Sequence, residues 1–482
     1  MSDGHRIPLD KLVKQTGPGF LSQSQPSPDI LPPPDLPWEV ANQFFKGRCF
    51  QDGAPTLAHW RGLWLQWKCA HWAETPDRTV RAWLWRFTSK AKYTNADGTQ
   101  HQWAPNKRKI ADLFDGLAAM CGIADETEQP GWIDDRTVGT IVSCRNGLLD
   151  VDQRSLMRHT PLFFNATSVP FDYDPRATAP RKWLAFLEDL FPHERAAIDA
   201  LQEWFGYVIS GRTNLHKILP MVGPSRAGKG VIARILRALI GLANYAGPTL
   251  NGLGSDFGLA PLLGKSLAVI SDARFSGRNS AVIIERLLSI SGEDALTIDR
   301  KYKDQWTGRL PCRFHIISNE LPRLGDTSQA IIGRLILIPV TVSWLGREDH
   351  GLEGELRNEL TGILNWALDG LARLTANGGR FTRVPSADEA IRTLRDLASP
   401  VAAFVREECV VDQARSVRRD TLYNAYRAWA DNGGYPKSPK HVFGRDLHAA
   451  VPSIKATRPK DGSRHYGGID LVFDSQSPGD AG

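Results

Sequence analysis

An α/β fold with a mostly parallel sheet is predicted for the middle of this 482-residue chain. Between His216 and about Val342, short apolar runs alternate with segments of helical periodicity, a pattern typical of parallel strands joined by helices. One of these runs leads into a glycine-rich loop and then into a helix, as in P-loop proteins. Beyond residue 399, three amphipathic segments and two short strands predict a winged helix.

The composition excludes several classes of protein. A hydrophobic share of 42% and a charged share of 23% match an ordinary soluble globular chain. No apolar run approaches the roughly 18–20 residues that span a bilayer, and residues 1–27 lack the apolar core of a signal peptide. The six cysteines are scattered without a Cys-x-x-Cys pair, so neither a disulfide framework nor a zinc site is indicated. We therefore expect a cytoplasmic protein with no membrane partner.

The N-terminal part divides into an arm and a tryptophan-rich domain. Residues 1–37 hold eight prolines, and such a stretch buries too little apolar surface to become ordered, so a disordered arm is predicted. Residues 38–130 are predicted to form a domain around eight tryptophans, because large aromatics dominate cores. Stacking of these rings on unpaired bases is the alternative. Residues 131–215 are predicted to be a mainly helical region, with an Asn146-Gly147 turn signal in a strand-like stretch around 140–151.

The glycine-rich loop fits the pattern GxxxxGK and is predicted to bind the phosphates of ATP. Its glycines let backbone N–H groups converge on phosphate oxygens, and its lysine reaches the terminal phosphates. The helix that follows directs its positive end at the same anion. The loop residues are Gly223, Pro224, Ser225, Arg226, Ala227, Gly228, Lys229 and Gly230. Two residues depart from expectation: Pro220 cannot donate to a sheet ladder, and Gly230 stands where Ser or Thr would ligate Mg²⁺. An ordinary glycine-rich turn is the alternative.

Three further polar residues follow the loop at strand ends. Asp272 ends an apolar strand, which suits a Mg²⁺-nucleotide site, although a lone Asp there is often a turn residue. Asn319 follows the next strand and could orient a water or contact the γ-phosphate. Arg334 precedes another strand and could reach the nucleotide of a neighbouring subunit; a surface ion pair is its alternative.

This order of motifs resembles the superfamily 3 DNA helicases, specifically the helicase part of the poxvirus and phage/plasmid primase-helicase family. The segment 291–303 looks like that family's extra motif, and the segments 146–150 and 204–207 resemble its region preceding the ATPase. The resemblance implies an AAA+-like P-loop ATPase core over 216–345 that uses ATP and Mg²⁺. It implies a β-hairpin in a ring channel that places Arg300, Lys301 and Lys303 on DNA. It also implies a sensor role for Asn319 and an arginine-finger role for Arg334.

The C-terminal part carries the net charge. Between residues 413 and 468 there are 11 basic and 4 acidic residues, whereas the rest of the chain has 48 and 49. We predict a helical lid or linker over 346–398, a winged-helix DNA-binding module over 399–474 and a disordered tail over 475–482. A helix in the major groove and a basic wing on phosphates would fit this charge. The residues expected on DNA are Arg418, Arg419, Lys437, Lys440, Arg445, Lys455, Arg458, Lys460 and Arg464.

Together these features predict an ATP-dependent DNA helicase of phage or plasmid replication type. We expect a homo-hexameric ring that translocates on single-stranded DNA by hydrolysis at subunit interfaces, binds duplex DNA, has no primase domain and could work with a separate primase. Asp272, Glu293 and Asp294 are all candidates for the water-activating base. The alternatives are an initiator with a decayed nucleotide site, a helicase loader with DNA-stimulated ATPase activity, and a metabolic P-loop kinase.

Overall fold

The computed structural model describes residues 29–134, 136, 139–271, 273, 280–301, 303–321, 329–435, 437–458 and 462–472. In this part of the chain, no helix is long and apolar enough to cross a membrane. All six cysteines are free thiols, as expected.

The N-terminal region packs around its tryptophans. In chain order it contains α1 (Pro37–Arg48), β1 (Phe50–Gln51), β2 (Ala54–Pro55), β3 (Leu57–Trp60), β4 (Leu63–Trp67), β5 (Trp72–Glu74), α2 (Asp77–Thr88), β6 (Lys92–Thr94), β7 (Gln100–Gln102) and α3 (Lys107–Met120). Five tryptophans are buried, namely Trp60, Trp64, Trp67, Trp72 and Trp103, whereas Trp38 and Trp85 are exposed. Most of these rings therefore form cores instead of a surface for bases.

The predicted disordered arm is too long at its C-terminal end. Leu31 is buried among α1, α2 and α3, and the indole of Trp103 donates to the Pro32 carbonyl at 3.1 Å. The prediction is wrong for residues 29–37, because apolar contacts made by a few residues are enough to order a proline-rich segment against an existing core.

The region 131–215 is only partly helical, which corrects the prediction. Its first part contains β8 (Gly131–Trp132), β9 (Ile141–Cys144), β10 (Gly147–Asp150), β11 (Ser155–Met157) and β12 (Phe163–Phe164), and its second part α4 (Arg181–Leu190) and α5 (Arg195–Ile209). Every residue of β9 and β10 is buried, so these strands lack the alternation that identifies a half-exposed strand. They form a hairpin that turns through Arg145 and Asn146.

A parallel sheet forms the centre of the molecule. The elements are β13 (Leu219–Val222), α6 (Lys229–Ile240), β14 (Tyr245–Ala246), α7 (Leu250–Leu253), β15 (Leu267–Ile270), α8 (Ser280–Ser291), β16 (Leu296–Arg300), β17 (Lys303–Gly308), β18 (Arg313–Ser318), α9 (Gln329–Ile332) and β19 (Ile338–Pro339). Within the described ranges, the five strands of the sheet have the order β14-β15-β18-β13-β19, and every pair is parallel. The predicted α/β class is confirmed.

Pro220 lies in the interior strand β13, where a backbone N–H normally donates a hydrogen bond to a neighbouring strand. The backbone groups of Ile218 and Val222 bond toward the β19 side, at 2.9 Å and 2.7 Å respectively. Because strand residues alternate with a period of two, the missing N–H of Pro220 also faces that side. The ladder between β13 and the interior strand β18 is therefore intact, and the lost bond lies next to the edge strand.

Three helices follow the sheet, and the second of them packs against α5. They are α10 (Leu352–Arg357), α11 (Leu360–Ala376) and α12 (Ala387–Ala398). A Cβ on Gly206 would come within 2.4 Å of the Ala367 carbonyl oxygen, so glycine allows α5 and α11 to touch. The fully buried carboxylate of Glu203 accepts from Arg373 Nε at 2.8 Å and from the Thr382 backbone N–H at 2.7 Å. This buried ion pair, which the sequence patterns did not indicate, fixes α11 against α5.

The C-terminal region is a small α/β unit with its own aromatic core. It contains α13 (Pro400–Glu408), β20 (Cys409–Val410), β21 (Ser416–Arg418), α14 (Arg419–Gly433), α15 (Lys440–Ala450), β22 (Lys455–Thr457), β23 (His465–Gly467) and β24 (Asp470–Leu471). The antiparallel sheet β21-β23-β22 packs with the three helices around Phe404, Tyr426 and Phe443. The three helices and the β22–β23 pair are those expected from the sequence.

Candidate functional site

The glycine loop, residues 223–228, joins the end of β13 to the start of α6. A Cβ on Gly223 would lie 2.0 Å from the Val340 carbonyl oxygen, so only glycine allows β13 to pass this close to the chain after β19. Gly228 has a φ of +75° and precedes the first residue of α6. Only glycine adopts that conformation readily. Both glycines of the motif are therefore required by the backbone.

Residues that follow β19 cover one side of the glycine loop. The Trp344 backbone N–H donates to the Arg226 carbonyl at 3.0 Å, and the Ser343 hydroxyl donates to the Ser225 carbonyl at 2.9 Å. The rings of Phe186 and Trp344 lie beside Gly228. These contacts support the loop from its outer side, and no local sequence pattern predicts them because they join the loop to segments far away in the chain.

Lys229 lies inside the loop and not in solvent. Its exposed fraction is 4%, and its ammonium donates to the carbonyl oxygens of Gly223 at 2.6 Å and Pro224 at 2.7 Å. The same ammonium donates to Asn319 Oδ1 at 3.2 Å. A cation that donates to the loop carbonyls at a helix N-terminus is well placed to bind an anion such as a phosphate.

Asn319 reaches Lys229 because its strand is the neighbour of β13. β18 ends at Ser318, and parallel strands bring their carboxyl ends to the same edge of a sheet. The Ser318 hydroxyl donates to the Ala273 carbonyl at 3.0 Å, which brings the chain after β15 to the same edge. The structure thus brings Lys229 and Asn319 together at one edge of the sheet, and their catalytic roles remain predictions.

The described residues of this site suit a phosphate anion better than a metal ion. Asp272, the predicted metal ligand, lies outside the described residues, and Gly230 provides no hydroxyl. Among the residues that the structure describes, no group of three or more His, Cys, Asp or Glu side chains could hold a metal ion. The binding of Mg²⁺ by Asp272 therefore remains a prediction, and so does the choice of water-activating base.

Arg334 lies at the opposite end of the sheet from Lys229. Its carbonyl accepts from the Ile218 N–H at 2.9 Å, beside the start of β13. Five residues separate Ile218 from Gly223, which corresponds to about 16 Å along a strand. The guanidinium donates to the Leu288 carbonyl and, at 2.8 Å, to the Ser291 hydroxyl at the end of α8. Arg334 therefore does not contribute to the loop of its own subunit.

The predicted hairpin in segment 291–303 extends further and consists of β16 and β17. Arg300 pairs with Lys303 across the strands, and Lys301 is a turn residue next to this pair. Near the base, Ile298 and Trp306 are buried in the core around α8. Lys301 is exposed at the turn, whereas the side chain of Lys303 lies outside the described part of the structure. The hairpin is anchored at its base and presents basic residues at its tip.

Several of the predicted DNA-binding cations collect at one end of the C-terminal sheet. Arg418 ends β21, Arg464 precedes β23, and Arg458 follows β22; all three are exposed. The Arg419 backbone N–H donates to the Arg464 carbonyl at 2.9 Å. Lys455 is exposed on β22, and Lys460 lies outside the described residues.

Other predicted cations of this region are paired with acids. Lys440 bonds Asp420 and lowers the pKa of that carboxyl below its ordinary value. Lys437 pairs with Asp431, and Arg445 pairs with Asp446 at 2.9 Å. Ion pairs exposed to solvent contribute little to stability, so these cations can exchange the acid for another anion.

Family models match three segments of the chain. Residues 58–192 match the D5 N-terminal-like model, and residues 398–465 match the poxvirus D5 protein-like model. Residues 221–334, which include the glycine loop, match a family of unknown function, DUF5906.

Among solved structures, the chain is similar to the C-terminal region of NrS-1. An A-form apo structure of that region has a TM-score of 0.50 and 11% identity, covering 86% of this chain and 96% of that chain. A second A-form structure, of its residues 305–718, has a TM-score of 0.47 and 12% identity, covering 85% and 96%. Another apo structure of this region has a TM-score of 0.46 and 11% identity, covering 86% and 96%. At these identities, the likeness concerns the fold alone.

Proposed function

We propose that this chain, which belongs to the poxvirus D5-like and phage-type primase-helicase family, is an ATP-dependent DNA helicase. Its matches on both sides of the glycine loop support a replication protein of primase-helicase type. The finer assignment to an ATP-hydrolysing helicase rests on the site geometry. The expectation that the chain does not prime DNA stays a prediction.

The contact between Lys229 and Asn319 carries the proposal. Their 3.2 Å contact joins the lysine of a glycine loop to the end of the adjacent parallel strand. In open α/β sheets, ligands bind outside the carboxyl ends of the strands, and phosphates bind at a helix N-terminus. In this reading the ATP phosphates replace the carbonyl contacts of Lys229, and Asn319 contacts the γ-phosphate or the attacking water.

The position of Arg334 supports hydrolysis between subunits. An arginine about 16 Å from its own loop cannot contact the nucleotide bound there, but a head-to-tail ring would place it at the next subunit's site. There it would stabilise charge in the transition state as an arginine finger. A Mg²⁺ ion would neutralise phosphate charge when bound; Asp272 is proposed to hold it, and no step of this proposal depends on its geometry.

Two basic surfaces support DNA as the partner. The tip of the β16–β17 hairpin, with Arg300 and Lys301, is proposed to follow single-stranded DNA in the channel of a hexamer. The C-terminal region has the helices, sheet and charge of a winged helix, with α15 in the major groove and the cluster around Arg464 on phosphates. Contacts of this kind predict that DNA affinity falls steeply with salt.

The test is ATP turnover with and without single-stranded DNA, for the wild type and for Lys229→Ala. We expect DNA to stimulate the wild type and Lys229→Ala to lower turnover to background, because the lysine is the central cation of the loop. Arg237→Ala, on the same helix but against the Tyr245 ring, is the control for general damage. Turnover that responds neither to DNA nor to Lys229→Ala would remove the helicase proposal.

One observation favours a second candidate, a DNA-binding initiator or helicase loader with weak ATPase activity. Gly230 removes the usual hydroxyl ligand of the metal, and a site that binds ATP without fast hydrolysis would suit such a role. Tight ATP binding and duplex DNA binding without DNA-stimulated turnover or strand separation would establish this candidate instead.

A further inference from the structure

The space beside Gly230 is occupied by an arginine. A Cβ built on Gly230 would lie 2.9 Å from Arg234 Nη1 and 3.8 Å from its Cζ. The hydroxyl of a serine at this position would be one covalent bond beyond that Cβ. The guanidinium therefore stands beside the place where the hydroxyl ligand of a P-loop protein would be.

Helix geometry explains how Arg234 reaches this point. It lies one turn after Gly230 on α6, and helical side chains point back toward the N-terminus and lie over the preceding turn. A glycine at 230 leaves that surface of the helix open. A side chain at 230 would meet the far end of the arginine, so the two positions are sterically linked.

An acid on the neighbouring helix holds the arginine there. Arg234 Nε donates to Glu353 Oε2 at 2.5 Å, and Glu353 also accepts from Arg357 at 2.9 Å. Burial alone would raise the pKa of Glu353, but the hydrogen bonds from Arg357 and Arg234 lower it below its ordinary value. Within the described ranges, only Nε of Arg234 makes a hydrogen bond, which leaves its terminal N–H groups facing the start of α6.

We propose that Arg234 contacts the bound triphosphate in the place of the missing Ser or Thr hydroxyl. The inference rests on the proposed nucleotide site and adds to it the group that compensates for Gly230. Arginine suits this position because its planar N–H groups bind phosphate oxygens in pairs. Since the arginine brings its own positive charge, nucleotide affinity should depend less on Mg²⁺ than it does where a hydroxyl holds the metal.

The experiment measures the affinity of the non-hydrolysable analogue AMP-PNP by calorimetry, with Mg²⁺ and with excess EDTA. For the wild type we expect clear binding in EDTA. Arg234→Gln should weaken binding in EDTA about ten-fold or more, the effect of losing a hydrogen bond to a charged group. Arg234→Lys should restore part of that affinity. Arg357→Gln is the matched control, because it removes the other partner of Glu353 without touching the helix start.

A double variant tests directly whether a serine hydroxyl can replace the arginine. Gly230→Ser with Arg234→Gln should bind the analogue with Mg²⁺ at about wild-type strength but lose binding in EDTA, because the hydroxyl works only through the metal. If Arg234→Gln binds in EDTA as well as Arg357→Gln does, the proposal is wrong and Arg234 only fills space.

Lys229→Ala separates the two levels of the argument. If the wild type binds AMP-PNP, Lys229→Ala abolishes that binding and Arg234→Gln leaves it unchanged, then this inference alone is wrong. No wild-type binding in either buffer would overturn the nucleotide site and this inference together. Thermal unfolding of each variant, followed by circular dichroism, shows whether a lost affinity comes from a lost fold.

Discussion

Complementation between two inactive variants tests whether the ATP site is shared by neighbouring subunits. The backbone of Arg334 lies at the start of β13, and Lys229 lies beyond its end, a strand length of about 16 Å from Ile218 to Gly223. Since the Arg334 guanidinium is bonded to the end of α8, we expect that one subunit does not bring both residues to one nucleotide. In a head-to-tail ring, each interface would combine the lysine of one subunit with the arginine of the next. Lys229→Ala and Arg334→Ala should therefore each be inactive alone but should complement each other when mixed.

The arrangement also predicts how large the recovery should be. In an equal mixture that assembles at random, about a quarter of the interfaces receive an intact lysine from one subunit and an intact arginine from the other. If the interfaces act independently, ATP turnover should recover to about a quarter of the wild-type value; cooperative rings would recover less.

The assay is DNA-stimulated ATP turnover after the two variants are mixed, dissociated in high salt and reassembled. Ser291→Ala serves as the structural control, because it removes a hydrogen bond of Arg334 within the same subunit and leaves the guanidinium present. Two results together would show that Arg334 stabilises the end of α8 and is not an arginine finger. The mixture of Lys229→Ala and Arg334→Ala would stay at background turnover, and Ser291→Ala alone would lose as much turnover as Arg334→Ala alone.

Four other variants address stability and DNA. Arg373→Ala should lower the free energy of unfolding by about 3–5 kcal/mol in urea denaturation, because it leaves the buried Glu203 carboxylate unpaired. Arg383→Ala, which removes an exposed ion pair, should lower the free energy of unfolding far less, and equal losses would contradict the argument. Lys301→Ala should reduce strand separation more than ATP binding. An equal loss of both would indicate that Lys301 contacts the nucleotide instead of DNA. Arg464→Ala should lower the slope of log affinity for duplex DNA against log salt by about one, as measured by fluorescence anisotropy. An unchanged slope would exclude a phosphate contact.

The local elements of the site followed from sequence because neighbouring residues decide them. The glycines at 223 and 228 are required by a close approach and by a positive φ, and an apolar strand and helix flank them. The C-terminal helices likewise follow from short-range periodicity, whereas the β16–β17 hairpin was expected from the resemblance to superfamily 3 helicases. The charge difference between the last region and the rest of the chain is a property of composition alone.

Sequence patterns missed most of the strands in residues 131–215. A strand-like stretch with an Asn146-Gly147 turn was expected only around 140–151, whereas β8, β11 and β12 lie in segments predicted to be helical, because strands of two or three residues are too short to show a period of two. The end of the proline-rich arm was also misread, since Leu31 is ordered by a core made of residues far along the chain.

The sequence by itself determined the class of fold, the glycine-rich loop and the location of the basic regions, because each depends on residues close together in the chain. Only the tertiary structure decided which residues meet. It brought Asn319 within 3.2 Å of Lys229, 90 positions earlier, placed Arg334 at the far end of the same sheet, and positioned Arg234 against Gly230 through an acid on another helix. Such contacts depend on the order of the strands and the packing of helices, and neither can be read from the spacing of residues.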